Sequence, residues 1–305
     1  MESSTYSIIS EASYRCGECP MWDVQNQTFY WSDMLAGELF SYRPASKEIQ
    51  KIAQGKNVSG FTLNKNGGFV CATHQGLYLW DAVHGWRLLA DSCQGQVLHC
   101  NDAAADPMGR FLFGTTFYGQ TVGDDFERGR LYSVDSDGSL TILDEGFGLS
   151  NGIAFSPDQK TLYVTDTYTR EIYAYDYQAA TGRISNKRVV VKIPDYEGIP
   201  DGMTVDAEGF LWSALWYGYG IVRCDPDGCI ERKIHIPSGQ TSSVMFGGEE
   251  LTDIYVTSSA EVVRHSIAPQ GYDFNAPHNG RVYCIHTDIK GLPEYAADIK
   301  GGIQV

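Results

Sequence analysis

Four side chains that carry donor oxygens, Glu18, Asn101, Asn151 and Asp201, stand at the same place in a pattern that this chain repeats six times. Each copy reads small or polar residue, apolar run, turn residue, then strand. The copies are Glu18-Cys-Pro-Met-Trp-Asp23, Ser59-Gly-Phe-Thr-Leu-Asn64, Asn101-Asp-Ala-Ala-Ala-Asp106, Asn151-Gly-Ile-Ala-Phe-Ser156, Asp201-Gly-Met-Thr-Val-Asp206 and Ser242-Ser-Val-Met-Phe-Gly247. In a closed array of repeats, equivalent positions point at one axis. Two carboxylates and two amides converging there make an oxygen-donor set, which suits Ca²⁺, Mg²⁺ or Mn²⁺ and also admits Zn²⁺. Glu18, Asn151 and Asp201 as the firm protein ligands leave positions open for water or substrate, as in catalytic rather than structural sites. The plain alternative is that Asn151-Gly152 and Asp201-Gly202 only form turns and that Glu18 only ends a strand. Matched placement in three separate repeats argues against it.

The elements that must hold these residues are legible in the second half of each copy. Gly37-Glu-Leu-Phe-Ser-Tyr42, Gly76-Leu-Tyr-Leu-Trp-Asp81, Gly129-Arg-Leu-Tyr-Ser-Val-Asp135, Arg170-Glu-Ile-Tyr-Ala-Tyr-Asp176, Gly220-Ile-Val-Arg-Cys-Asp225 and Gly280-Arg-Val-Tyr-Cys-Ile285 echo one another. Several lead into Asp-Gly turns, such as Asp135-Ser-Asp-Gly138 and Asp225-Pro-Asp-Gly228, where glycine accepts the positive φ of a tight hairpin. Each repeat therefore reads as four short antiparallel strands over about 40–50 residues, the period of a propeller blade. Six blades fill residues 1–305 as a single domain: an all-β, six-bladed β-propeller around a central channel. Tyr6-Ser-Ile-Ile-Ser10 reads as an extra strand that pairs with the last blade and closes the ring.

Composition sets outer limits. A formal net charge of −15 argues against nucleic acid or an anionic membrane as partner, since both need a cationic footprint. No apolar run is long enough to span a bilayer, and Met-Glu-Ser-Ser-Thr lacks the basic and apolar regions of a secretory signal. The expectation is a cytoplasmic protein, a monomer or weak homo-oligomer. Cys16-Gly-Glu-Cys19 has neither the second CxxC of a zinc site nor the βαβ context of a redox motif. The eight cysteines read as free thiols, several of them core-facing.

Taken in order, the longer motifs resemble one family. Cys16-Gly-Glu-Cys-Pro-Met-Trp22, Leu149-Ser-Asn-Gly-Ile-Ala-Phe-Ser-Pro-Asp158, Leu162-Tyr-Val-Thr-Asp-Thr167 and Pro200-Asp-Gly-Met-Thr-Val-Asp-Ala-Glu-Gly-Phe-Leu-Trp212 are similar to the SMP-30/gluconolactonase/luciferin-regenerating enzyme family. Ala214-Leu-Trp-Tyr-Gly-Tyr-Gly220 and Ile184-Ser-Asn-Lys-Arg188 extend the likeness to nearly the whole chain. The resemblance implies a propeller lactonase with one divalent metal ion (Ca, Zn, Mn or Mg) held by Glu18, Asn151 and Asp201. It also implies a substrate contact at Asn101. One departure stands out: sugar-lactonase relatives commonly carry Arg two residues before that Asn, and here the residue is His99. His99 is then either a structural histidine or a second substrate contact, and the exact sugar is left open.

The chemistry expected on this basis is metal-assisted hydrolysis of a small lactone, with an aldonolactone as the expected substrate. Asp201 orients or deprotonates the water, and Asn101 and His99 hold the substrate. Phe117, Tyr118, Trp216 and Tyr217, in loops after blade strands, wall the pocket. A phosphotriesterase on the same metal, or a non-catalytic calcium-binding propeller scaffold, are the competing readings. Fold alone separates none of them. No Gly-x-Ser-x-Gly motif is present, and no base accompanies Cys19 or Cys100 in the sequence, so a covalent nucleophile is not expected.

Overall fold

The computed structural model describes residues 6–117, 127–275 and 278–301. Its strands form six antiparallel four-stranded sheets arranged as the blades of a propeller, besides a small two-stranded hairpin of Ser92–Cys93 and Gln96–Val97, with no helix among the described residues. The innermost strands are Gly17–Asp23, Val58–Leu63, Cys100–Ala105, Ser150–Phe155, Ile199–Val205 and Thr241–Gly247. Each contacts the next, and the sixth returns to the first, so the ring is closed.

Closure is completed at the amino terminus, as expected. Tyr6–Ser10 adds the outermost strand to the sixth blade, pairing Tyr6 with Ile285 and Ile8 with Tyr283. That blade is thereby built from both ends of the chain, which ties the ring shut by backbone hydrogen bonds rather than side chains alone.

Burial follows position in the blade. The second strand of the fifth blade, Leu211–Trp216, is buried at every residue, whereas the outermost strand of the fourth, Arg183–Lys192, is largely exposed and charged. Inner strands packed on both faces need near-continuous apolar sequence. Charged outer strands discourage edge-to-edge pairing. The core lies between blades: Trp212, Val244, Phe246, Ile254, Val256 and Tyr283, for example, join the fifth to the sixth.

Turn residues that end the repeated motifs, Asp106 and Asp206 among them, have a structural job at the end of the channel away from the site. Asp206 Oδ1 accepts the backbone N–H groups of Glu208 and Phe210 at 2.9 and 3.0 Å, and its Oδ2 accepts the Trp212 indole N–H and the Arg223 guanidinium. Asp106 does the same for Met108 and Arg110. The carboxy-terminal segment crosses that end. Lys65 N–H donates to the Ala297 carbonyl, and Ala207 N–H to the Lys290 carbonyl.

The cysteines are free, and all but Cys229 and Cys284 are buried, which agrees with the reading of core-facing thiols.

Candidate active site

A register irregularity occurs at the same point of all six innermost strands. It lies at Glu18/Met21, Val58/Gly60, Cys100/Ala103, Asn151/Ile153, Pro200/Met203 and Thr241/Ser243. Bulges re-aim side chains. Here they sit where the first residues of the sequence motif fall. The local sequence supplies what the bend needs. Gly152 has φ 23°, and a Cβ there would lie 2.6 Å from Thr165 Oγ1. At Gly202 a Cβ would lie 2.0 Å from Ser243 Oγ on the neighbouring blade.

The result is one cavity of about 170 Å³ whose lining includes Glu18, Asn101, Asn151, Asp201 and Trp216. Asn151 Nδ2 donates to Thr167 Oγ1 at 3.1 Å, and that hydroxyl donates on to the Pro200 carbonyl at 2.8 Å. This relay fixes the amide plane and leaves Oδ1 as the atom able to face a cation. Asn101 is oriented in the same way, its Nδ2 donating to the Ser150 carbonyl at 2.8 Å. Glu18 Oε2 accepts the Cys19 N–H at 3.3 Å.

Electrostatically the site is an anionic well. Burial, then Asp201 and Asp102, push the Glu18 carboxyl well above the usual range. Burial and then Asp102 do the same to Asp201, against a hydrogen bond from Asn151 that opposes the shift. Asp102, deeper in the channel, is raised by burial to about 7. No cation contributes to any of these three shifts. Buried carboxylates without a countercharge are costly unless they neutralise or meet a cation. The residues present therefore fit a divalent ion. No group of three His, Cys, Asp or Glu side chains among the described residues is arranged to hold a metal. The fit rests on a mixed carboxylate–amide set, Glu18, Asp201 and Asn151.

The remaining expected residues separate. His99 is not among the residues that line the cavity: its Nδ1 is 3.1 Å from the His74 carbonyl, and its ring meets Phe117 edge-on at 6.2 Å. His74, not His99, lines the cavity. Tyr217 is 3% exposed and outside the lining. Its hydroxyl donates to the Val263 carbonyl at 2.6 Å and accepts the His265 N–H at 2.9 Å, so it braces the loop that carries both residues. Tyr118 lies outside the described residues.

Comparison with known proteins decides the family. A family model described as "SMP-30/Gluconolactonase/LRE-like region" matches residues 16–260. The chain belongs to this family. Among relatives of this SMP-30/gluconolactonase-like protein, pentonolactonase XacC of Haloferax volcanii is 31% identical, over 98% of this chain and 100% of its own. A 6-deoxy-6-sulfogluconolactonase of Pseudomonas putida is 33% identical, over 91% and 93% respectively. A crystal structure of a calcium-binding protein, regucalcin, from Agrobacterium tumefaciens has a TM-score of 0.80 at 26% identity, covering 98% of this chain and 97% of that one.

Sequence reasoning did not single out Asp102, His74, Thr167, Tyr168 or His265. Met34, Leu35, His74, Thr167, Tyr168 and His265 stand in or beside the connections between the second and third strands of their blades, all at the site end of the ring. The repeat marks that position, but no residue type recurs there. Asp102 was hidden by its neighbour: its place one residue after Asn101 turns it down the channel, where it lines a second, smaller cavity with Glu294.

The cysteines near the channel are poor nucleophiles. Burial, then Glu18, raises the Cys16 and Cys19 thiols far above the ordinary value, and burial raises Cys100.

Proposed function

We propose that this protein is a metal-dependent lactonase that opens a small lactone to its hydroxy acid. The observation that carries the reading is the convergence of Glu18, Asn151 and Asp201, an uncompensated anionic oxygen set, on a cavity of substrate size. The names of full-length relatives, pentonolactonase and sulfogluconolactonase, support a sugar lactone as the substrate class.

In this mechanism Glu18, Asn151 and Asp201 hold one divalent ion. When bound, that ion supplies Lewis-acid polarisation of the lactone carbonyl and makes a water more acidic. Asn101, its amide plane set by Ser150, hydrogen-bonds the substrate and fixes the carbonyl against the carboxylates. Asp201 accepts the proton as water attacks the carbonyl carbon. It returns that proton to the ring oxygen when the C–O bond breaks. Trp216 supplies one wall of the pocket. Asn151 stays fixed by Thr167 throughout, which keeps the ligand set from relaxing as charge moves.

The test is hydrolysis of an aldonolactone panel by chelator-stripped protein, with each divalent ion restored in turn. Asp201→Asn is expected to cut kcat at least about 100-fold, the usual contribution of a positioned base. It is also expected to weaken metal binding by calorimetry. Turnover unaffected by chelator or by the substitution would refute the proposal.

A further inference from the structure

The connection between the second and third strands of the sixth blade runs from Ser258 to Val282, with no strand of its own among the described residues. It brings two residues, Val263 and His265, to the cavity that holds the oxygen set. Side chains rather than a sheet fix that stretch. Gln240 Oε1 accepts the Val263 N–H at 3.0 Å, and its Nε2 donates to the Glu261 carbonyl at 2.6 Å. The Tyr217 hydroxyl accepts the His265 N–H at 2.9 Å, and Arg170 donates to the Ile267 carbonyl two residues on. The His265 ring meets Tyr168 and Tyr217 edge-on, at 5.7 and 6.2 Å between centroids. Backbone and ring are both held, as a functional group on a connection needs to be.

The polar edge of that ring has no protein partner. Among the described residues neither imidazole nitrogen of His265 is hydrogen-bonded. Neither is sealed in the core, in contrast to the Trp216 indole N–H, which is buried and unpaired. Other polar groups of the lining are engaged: Thr167 with Asn151 and the Pro200 carbonyl, and the Asn101 amide N–H with the Ser150 carbonyl. Burial lowers the His265 pKa, so at neutral pH the imidazole is uncharged and offers one donor and one acceptor. A hydroxyl, which also donates and accepts, is its match.

Resting on the lactonase reading, we propose that His265 is a further substrate-contacting residue, its imidazole hydrogen-bonded to a hydroxyl of the lactone. His265 and the oxygen set border the same cavity of about 170 Å³, and one small ring bound there meets both. The imidazole replaces the bonds that the hydroxyl gives up to water. A ring without hydroxyls leaves the imidazole unpaired once water is excluded, and is disfavoured for that reason.

The experiment compares glucono-1,5-lactone with δ-valerolactone, the same six-membered ring without hydroxyls, using the metal-restored protein. His265→Phe keeps a ring between Tyr168 and Tyr217 and removes both nitrogens. It is expected to lower kcat/KM on gluconolactone about tenfold, through KM rather than kcat. Hydrolysis of δ-valerolactone and divalent-ion affinity by calorimetry are expected to stay unchanged. His265→Gln, which restores a donor and an acceptor, is expected to recover part of the loss. An unchanged KM for gluconolactone, or an equal loss on both lactones, overturns the inference. A group that acts on the ester or only packs the wall does not tell the two rings apart. The His265 imidazole nitrogen NMR signals give a second reading on the unaltered protein. They are expected to move with non-hydrolysable gluconolactam and to stay put with δ-valerolactam; movement with both alike, or with neither, overturns the inference. If no lactone is opened, the lactonase proposal fails, and the lactam comparison still decides whether His265 binds a hydroxylated ring.

Discussion

Three carboxyls in one channel, Glu18, Asp201 and Asp102, carry pKa values raised first by burial, and in Glu18 and Asp201 also by neighbouring carboxyls. A carboxyl whose pKa is higher folded than unfolded binds more protons in the native state, so its contribution to stability falls as pH rises. The loss begins near the unfolded value of about 4 and is complete for Asp102 once pH passes about 7. The metal-stripped protein is therefore expected to lose melting temperature between pH 5 and pH 8, with a saturating divalent ion restoring more at pH 8 than at pH 5. His74 and His265, with lowered pKa values, work in the opposite sense. Asp102→Asn isolates the carboxyl: its Tm should decline less over that interval than the parent's. An identical decline in both proteins would show that Asp102 is not strained by its charge. At this scale Glu18, Asn101, Asn151 and Asp201 were legible as a set because the repeat aligned them. His99, left open in the sequence between a structural and a contact role, is not among the lining residues; its ring meets Phe117 and its Nδ1 the His74 carbonyl.

The inner strands are the elements that turn a sequence pattern into a site. They approach so closely that small residues follow the functional ones: Gly60 faces Ala103, Gly152 faces Met203, and Gly202 faces Ser243. Gly202→Ala would set a methyl 2.0 Å from Ser243 Oγ and force the fifth and sixth blades apart beside Asp201. A destabilisation of about 1–3 kcal/mol is expected from such overpacking, read by denaturant unfolding, together with weaker metal binding than that stability loss alone explains. Unchanged metal affinity in the folded variant would separate the blade contact from the site. These glycines were visible in the sequence as turn formers. Their role as spacers between blades was not, since it depends on what the next blade presents.

Across the whole molecule, the proposed site depends on the ring being closed, because the proposed ligand set is drawn from the first, fourth and fifth blades and Asn101 from the third. The strand Tyr6–Ser10 supplies the closing backbone pairing to the sixth blade. Removing residues 1–10 is expected to lower Tm and loosen metal binding together, although none of Tyr6–Ser10 lines the cavity; calorimetry and thermal unfolding of the truncated chain check this. The comparison of sequence with structure divides along a physical line. Period, strand pattern, blade number, the closing strand and the four aligned polar positions are local or repeating properties, so the sequence by itself determined them. The lining of the cavity by Leu35, Val263 and His74, the burial of Tyr217 and the descent of Asp102 into the channel were decided only by the tertiary structure. Leu35, His74 and Val263 come from connections of differing length and composition, Asp102 from an inner strand, and the surroundings of each exist only once six blades have closed.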